Sequence, residues 1–161
     1  MGIPKSAERA PLPLAGMTIL VVEDHADSRD MTRQSLQAQG AGVWLAVNGR
    51  DALDVLRRIK PPDAILCDIR MPGMDGLKLA QRLRADLRWR RLPIVALTAY
   101  GEHRDYFSTL AAGFDAHLVK PVDLEAMVAV IRRLVTSARA AAKTRRRPRP
   151  PSSSPRRPPS A

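Results

Sequence analysis

Five short apolar segments alternate with five amphipathic segments along this chain, and this alternation restricts the possible folds more than any other feature. The apolar segments cover residues 17–22, 43–47, 64–67, 93–97 and 116–119. Short apolar segments of this kind, bounded by polar residues, are typical of buried strands. Their strict alternation with helical patterns predicts an α/β domain with a five-stranded parallel sheet and helices on both faces.

The segments between the predicted strands have apolar residues at helical spacing. The predicted helices cover residues 26–39, the stretch between Asn48 and Pro61, residues 76–87, residues 102–112, and a last helix from near residue 123. Asn48 can cap the second helix, Pro61 stops it, and Gly113 ends the fourth. Met31, Ala38 and Leu87 are expected to face the core.

The net charge of +11 is unevenly distributed. Eight positive charges and no acid lie within residues 138–161, so residues 1–137 carry a net charge of only +3. Proline, serine and arginine dominate this basic segment, and we expect it to be a disordered tail. Residues 1–15 contain three prolines and no periodicity, which predicts a flexible arm. The folded domain is therefore expected at residues 16–137.

The chain has a single cysteine, Cys67, which precludes a disulfide within one chain and fits a reducing compartment. We expect Cys67 to be a small buried strand residue. No apolar run approaches the roughly 20 residues of a membrane span. The first residues lack the apolar core of a signal peptide. The expectation is a cytoplasmic protein without a membrane partner.

Polar side chains stand at the carboxyl ends of four predicted strands. Glu23 and Asp24 follow the first strand, Asp68 the third, Thr98 the fourth and Lys120 the fifth. In open parallel sheets these ends share one edge, where ligands bind. Three adjacent carboxylates repel one another, and Mg²⁺ prefers such oxygen ligands. Lys120 and Thr98 can bind phosphoryl oxygens, and Asp68 can act as a nucleophile that forms an aspartyl phosphate.

Four motifs carry a family resemblance: VVEDH (21–25), CDIRMPGMDG (67–76), ALTAY (96–100) and HLVKP (117–121). In this order the chain resembles the receiver domain of two-component response regulators, of the stand-alone, single-domain type, over nearly the whole predicted domain. The resemblance implies a flavodoxin-like fold with strand order 2-1-3-4-5. It also implies that Asp68 accepts a phosphoryl group from a histidine kinase or a histidine phosphotransfer protein.

The same resemblance implies roles for the residues at the strand ends. The implied Mg²⁺ ligands are Glu23, Asp24, Asp68 and the backbone carbonyl of Arg70. Thr98 matches the family's switch hydroxyl, and Lys120 matches its phosphate-binding lysine. The peptide bond between Lys120 and Pro121 would be cis, as an X-Pro bond permits.

Three further positions bear on switching and on the lifetime of the phosphoryl group. His117 stands where the family commonly has tyrosine or phenylalanine, and its imidazole can titrate near neutral pH. Arg70 and Tyr100 occupy positions that influence attack of water on the acyl phosphate. Both are large, so we expect a long-lived phosphoryl group. The surface at 102–137 matches the face through which the family contacts its partners, and no output domain is expected after residue 137.

Two other functions compete with this interpretation. An aspartate-nucleophile phosphatase of the haloacid dehalogenase type needs a second acid two residues after the nucleophile. That position is Arg70, so the chain is not expected to turn over external phosphoesters. The basic tail could instead bind nucleic acid non-specifically, in a salt-dependent way. A second basic stretch is interpreted as a solvated helix end and loop, and it contains Arg82, Arg84, Arg88, Trp89, Arg90 and Arg91.

Overall fold

The structure is a computed structural model that describes residues 10–99 and 103–146, with the backbone alone at 103–105. Five strands alternate with five helices within these residues, as the sequence pattern predicted. The elements are β1 (Thr18–Val22), α1 (Ala26–Ala38), β2 (Gly42–Ala46), α2 (Gly49–Arg58), β3 (Ala64–Asp68), α3 (Gly76–Ala85), β4 (Ile94–Thr98), α4 (His103–Ala112), β5 (Ala116–Val119) and α5 (Leu124–Arg146).

The five strands form one parallel sheet in the order β2-β1-β3-β4-β5. The predicted flavodoxin-like order is therefore confirmed. In the centre of the sheet, Leu20 of β1 pairs with Ile65 of β3, and Ile65 pairs with Ile94 of β4. Because all strands run the same way, their carboxyl ends meet at one edge.

Successive side chains of each strand point to opposite faces of the sheet, and each face has its own core. One core contains Leu20, Ile65 and Ile94 and is covered by residues of α2, α3 and α4. The other contains Leu66 and Val95 and is covered by residues of α1 and α5. A sheet buried on both faces explains why its central strands are almost wholly apolar.

The predicted helix boundaries at Asn48 and Gly113 are confirmed by local geometry. The Asn48 side chain accepts a hydrogen bond of 2.9 Å from the backbone N–H of Asp51 at the start of α2. Gly113 follows α4 with a φ of 100°, a left-handed conformation that glycine adopts without strain.

Three residues expected in the core are exposed, namely Met31, Ala38 and Leu87. Met31 is 69% exposed because it lies five residues before the buried Leu36, which is about 140° away around α1. Leu87 is 77% exposed because α3 ends at Ala85, so Leu87 no longer follows the helical spacing of its apolar face. The apolar pattern was correct for both helices, but it did not specify where the buried faces end.

Both predicted domain boundaries are displaced outwards. Leu14, assigned to the flexible arm, is fully buried, and its backbone N–H donates to the carbonyl of Gln39 at 2.8 Å. At the other end α5 continues to Arg146, nine residues into the segment expected to be disordered. Alanine, lysine and arginine are strong helix formers, and a helix that is already packed extends at little further cost. The rest of the predicted arm and tail, at 1–9 and 147–161, lies outside the described residues.

The basic stretch around Trp89 is not simply a solvated helix end. Trp89 is only 8% exposed and belongs to the core beneath α3. Arg84 Nε donates to the carbonyl of Gly113 at 2.7 Å, and its Nη1 donates to the carbonyl of Leu92 at 2.8 Å. Its Nη2 also pairs with Asp115 at 2.8 Å. Arg84 therefore ties α3 to the segments on either side of β4.

None of the helices described at 10–99 and 103–146 combines the length and apolar character needed to cross a lipid bilayer.

Candidate functional site

The carboxyl edge of the sheet brings together all five residues that the sequence placed at strand ends. Glu23 and Asp24 follow β1, Asp68 is the last residue of β3, Thr98 is the last residue of β4, and Lys120 follows β5. β1 and β3 are neighbours at the centre of the sheet, β4 lies beside β3, and β5 lies beyond β4 at the edge. The strand order therefore places the acids at the centre of the edge and the lysine on one side of them.

The three carboxylates form a tight acidic cluster. One oxygen from each of Glu23, Asp24 and Asp68 lies within 4.8 Å of the other two. Glu23 is 3% exposed, Asp68 is half-buried and Asp24 is exposed. Like charges at such separations oppose ionisation unless a cation offsets them.

Lys120 supplies that cation within the protein. Its Nζ donates to Glu23 Oε2 at 2.6 Å and to Asp68 Oδ2 at 3.0 Å. Partial burial lowers the pKa of the Lys120 ammonium, but the two hydrogen bonds and the carboxylate charges outweigh this effect, so its pKa is raised. Lys120 is therefore charged at neutral pH. The Lys120–Pro121 peptide bond is cis, as the resemblance implied.

The loop after β1 holds Glu23 and Asp24 through contacts that the sequence did not reveal. Arg29 Nη1 donates to the carbonyls of Glu23 at 2.8 Å and of Asp24 at 3.2 Å. The backbone N–H of His25 donates to Glu23 Oε1 at 3.1 Å. In the sequence Arg29 resembles any polar residue of an amphipathic helix, so no pattern distinguished it.

Thr98 is 2% exposed and its hydroxyl is already engaged. Its Oγ1 lies 2.7 Å from His117 Nε2, and the other ring nitrogen, Nδ1, lies 3.4 Å from Thr109 Oγ1. The Thr109 hydroxyl donates to the carbonyl of Tyr106 at 2.7 Å. Its single proton is thereby used, so Thr109 is placed to accept from His117 Nδ1–H, which leaves Nε2 to accept from the Thr98 hydroxyl. The Leu118 carbonyl is the more distant acceptor for that hydroxyl, at 3.5 Å. Thr109, which the sequence did not single out, thus sets the histidine tautomer.

The positions proposed to set the phosphoryl lifetime are only partly described. The backbone N–H of Arg70 donates to Asp68 Oδ1 at 3.1 Å, and the Arg70 side chain is exposed beside the site. Tyr100 lies outside the described residues. The loop that carries Arg70 packs closely against α3, because a Cβ at Gly76 would come within 2.4 Å of the Asp68 carbonyl oxygen. Glycine at this position allows the helix to approach the backbone of Asp68.

The donor set fits a hard divalent cation. Glu23, Asp24 and Asp68 all offer carboxylate oxygens from three points around one small space. Mg²⁺ is bound in proteins by one or two carboxylates together with water and phosphate oxygens. No histidine or thiol enters this set among the described residues, which favours a hard ion over zinc or copper.

Fold and site together define a class of protein, and comparison with known families agrees. The response regulator receiver domain family matches residues 19–132 of this chain. The match covers well over half of the 161 residues. The chain therefore belongs to the response regulator receiver domain family.

Particular relatives share this region. The chain is 40% identical over 120 residues to an uncharacterised 14.6 kDa protein in the sodA1 3′ region of Leptolyngbya boryana. This alignment covers 74% of this chain and 91% of that protein. It is also 40% identical over 117 residues to the response regulator MprA of Mycolicibacterium vanbaalenii, which covers 73% of this chain. Only 49% of MprA is matched, so the chain spans about half the length of that relative.

A solved receiver domain with a similar fold contains a magnesium ion. The receiver domain of the sensor histidine kinase PA1611 from Pseudomonas aeruginosa is 34% identical, with a TM-score of 0.70. The alignment covers 76% of this chain and 99% of that domain, and the PA1611 structure holds a magnesium ion in its active-site cleft.

Proposed function

We propose that this chain is a phosphoacceptor of a two-component system or phosphorelay, with Asp68 as the residue that carries the phosphoryl group. The observation that most supports the proposal is the position of Lys120 Nζ, 3.0 Å from Asp68 Oδ2 and 2.6 Å from Glu23 Oε2. A cation fixed beside one carboxylate of an acidic cluster is suited to bind an anion that becomes attached to that carboxylate.

In the proposed reaction a carboxylate oxygen of Asp68 attacks the phosphorus of a phosphohistidine on a histidine kinase or phosphotransfer protein. The new O–P bond forms as the P–N bond breaks, and the histidine leaves with the electron pair and takes up a proton. Lys120 neutralises charge on the transferred group. Mg²⁺, when bound, would neutralise further charge on the phosphoryl oxygens, and Glu23, Asp24, Asp68 and the Arg70 carbonyl would hold it.

The proposed switch depends on Thr98 changing its hydrogen-bond partner. The Thr98 hydroxyl donates to His117 before phosphorylation, and it would donate to a phosphoryl oxygen afterwards. His117 then loses one partner and can reorient on β5. Phosphorylation in this scheme shifts an existing equilibrium between two arrangements.

The proposed output is a protein contact at the 102–137 surface. α4 and β5 expose large apolar side chains there, among them Phe107, which is 76% exposed, together with Tyr106, Leu110 and Val119. An apolar group of this kind on an otherwise polar surface is typical of a protein interaction site. A movement of His117 would act directly on this group of apolar side chains, because the ring centroids of His117 and Tyr106 lie 5.9 Å apart.

The proposal does not include turnover of external phosphoesters, because Arg70 stands where a phosphatase would need its second acid. The exposed Arg70, together with Tyr100, is proposed to restrict the approach of water to the acyl phosphate. We therefore expect a long phosphoryl lifetime.

The direct test is incubation with Mg²⁺ and acetyl phosphate, followed by intact mass over time. Wild type is expected to gain one phosphoryl group, whereas Asp68→Asn gains none and Asp75→Asn, which changes a helix cap near the site, still gains one. A wild type that stays unmodified while it binds Mg²⁺ would refute the proposal. Loss of the group within seconds would refute the long lifetime alone.

Non-specific nucleic-acid binding through the basic C-terminal segment is a second proposal, and the eight positive charges at 138–161 favour it. Replacing Arg147, Arg149, Arg156 and Arg157 by glutamine in the full chain separates the two functions. Salt-dependent binding to duplex DNA should weaken strongly if this segment contacts phosphates, while Asp68 is still phosphorylated. Equal binding by the variant would exclude these residues as the contact.

A further inference from the structure

The extension of α5 creates a groove at the end of the sheet opposite Asp68. The last three turns of α5 form one wall. The segments that precede β3 and β4, at 61–63 and 88–93, form the other. The groove has a volume of about 860 Å³. It belongs to the amino ends of the strands, so it shares no residue with the phosphoryl site or with the exposed apolar residues of α4.

The floor of the groove is apolar. It is made by prolines that precede β3 and β4 and by small residues of α5, including Pro62, Pro93, Ala138 and Ala142. Pro62 and Pro93 are buried, and the alanines leave the α5 backbone accessible along this face. An apolar floor between two defined walls suits short aliphatic side chains of a peptide.

The rim is strongly basic. Five arginines line the groove against one carboxylate, so its residues carry a net charge of +4, and the arginines are Arg88, Arg91, Arg139, Arg145 and Arg146. The carboxylate, Asp63, is already used: it accepts from Arg139 at 2.8 Å and from the backbone N–H of Thr18 at 2.8 Å.

Among the side chains described at 10–99 and 106–146, three of these arginines have no acidic partner. Arg88 pairs with Asp86 at 3.1 Å, outside the groove. Over the same described side chains, no carboxylate lies within ion-pair distance of Arg91, Arg145 or Arg146. Arg91 lies on one wall of the groove, and Arg145 and Arg146 lie on the other. Together they give the groove a positive charge over an apolar floor.

The α5 wall is fixed rather than a loose helix end. Arg139 Nη2 donates both to Asp63 and to the carbonyl of Gly16 at 3.0 Å. Val135, one turn earlier, is fully packed in the core. These contacts hold the helix against the amino ends of the strands and set the position of Ala142 and Arg145 beyond them.

We propose that this groove binds an acidic segment of a partner protein, with carboxylates on the three unpaired arginines and aliphatic side chains on the floor. A nucleic acid could satisfy the arginines but would leave the floor uncovered. Bases cannot stack on Trp89, because its ring is only 8% exposed and Arg88 lies 5.7 Å from its centroid. The chain's own residues 147–161 hold four arginines and no acid, so charge repulsion disfavours them as the occupant.

The test uses the full chain and a synthetic peptide of alternating glutamate and leucine pairs, followed by two-dimensional NMR of the backbone amides. Binding should shift the amides of Asp63, 88–92 and 138–146. The variant R145E/R146E should bind roughly tenfold more weakly or worse. The matched control is K78E/R82E, which makes the same charge change on exposed residues of α3 outside the groove and should bind as wild type does.

Other outcomes would overturn the proposal. Equal binding of a glutamine and leucine peptide would show that the arginines do not select carboxylates. Tighter binding of duplex DNA at the same amides would identify nucleic acid as the occupant. Concentration-dependent shifts of these amides without any peptide would identify a second copy of the chain. The absence of any shift in the groove with the acidic peptide would exclude the site.

Discussion

At the scale of single residues, the site is a balance between three acids and one ammonium. Lys120 offsets the repulsion between Glu23 and Asp68 by bonding to both. Glu23 is almost fully buried, so its carboxylate depends on this partner in place of water. The lysine thus has two tasks: it stabilises the acidic cluster when no phosphoryl group is present, and it is proposed to bind that group when it arrives.

Replacing Lys120 by methionine should reveal the first task. We expect Lys120→Met to lower the free energy of unfolding by about 1–3 kcal/mol in the presence of EDTA, because two carboxylates lose a charged partner. Added Mg²⁺ should then raise the melting temperature of the variant more than that of wild type. Thermal unfolding with and without Mg²⁺ measures both effects.

The control for this experiment is Lys60→Met, which removes an exposed lysine and should change neither quantity. If Lys120→Met unfolds at the wild-type temperature in EDTA, the lysine does not stabilise the acidic cluster.

The hydrogen bonds around His117 predict a definite tautomer. Because Thr109 donates to the Tyr106 carbonyl, the His117 ring should carry its proton on Nδ1 and accept from Thr98 at Nε2. Long-range ¹H–¹⁵N NMR of the imidazole distinguishes the two nitrogens. Thr109→Val should increase the share of the other tautomer, whereas Thr144→Val, at an exposed site on α5, should not. A wild-type ring protonated on Nε2 would contradict the arrangement.

At the scale of elements, one side chain connects three segments around β4. Arg84 of α3 donates to the carbonyls of Leu92 and Gly113 and pairs with Asp115, which also accepts from the backbone N–H of Ile94. These contacts fix the entry to β4 and the turn that follows α4. The end of α4 therefore depends on a residue of the neighbouring helix.

We predict that Arg84→Met lowers the free energy of unfolding by about 2–3 kcal/mol, because it leaves partly buried carbonyls and a carboxylate without their charged donor. Arg82→Met, on the exposed side of the same helix, should stay within about 0.5 kcal/mol of wild type. Urea unfolding of the two variants measures the difference. Equal stability would show that water replaces the guanidinium without loss.

The elements also show which features of the fold and site a sequence pattern can predict and which it cannot. Apolar spacing located all ten elements, and the strand ends located Glu23, Asp24, Asp68, Thr98 and Lys120. The location of these five residues follows from the rule that the carboxyl ends of parallel strands share one edge of the sheet. The roles of Arg29, Thr109 and Arg84 could not be predicted in the same way. Arg29 and Arg84 donate to backbone carbonyls that the folded chain brings near, and Thr109 of α4 contacts the His117 ring of β5. The sequence around an arginine or threonine carries no record of such contacts.

At the scale of the whole molecule, two groups with raised pKa values make stability depend on alkaline pH. Burial, with a smaller contribution from nearby acids, raises the pKa of the Cys67 thiol far above its ordinary value of 9.0. The pKa of Lys120 is raised as well. In both cases the folded state favours the protonated form, so stability is fully present below the ordinary pKa and is lost as pH rises towards the folded value.

We therefore expect the free energy of unfolding to decline as pH rises beyond about 9, where an unfolded chain ionises Cys67 but the folded chain does not. Urea unfolding at a series of pH values measures the slope. Cys67→Ala should show a shallower decline, whatever its stability at neutral pH. Identical slopes for the two proteins would show that the buried thiol does not contribute.

Because α5 extends to Arg146, the proposed groove lies at the end of the sheet opposite the proposed phosphoacceptor site. β3, whose carboxyl end carries Asp68, is five residues long, so the groove at its other end lies about 17 Å away through the sheet. A kinase at one end and an acidic partner at the other would not collide. The partner could then tether the protein at one place in the cell while its phosphorylation state follows a separate signal. The place of the protein in the cell and its phosphorylation state would then be controlled independently, at opposite ends of one small domain.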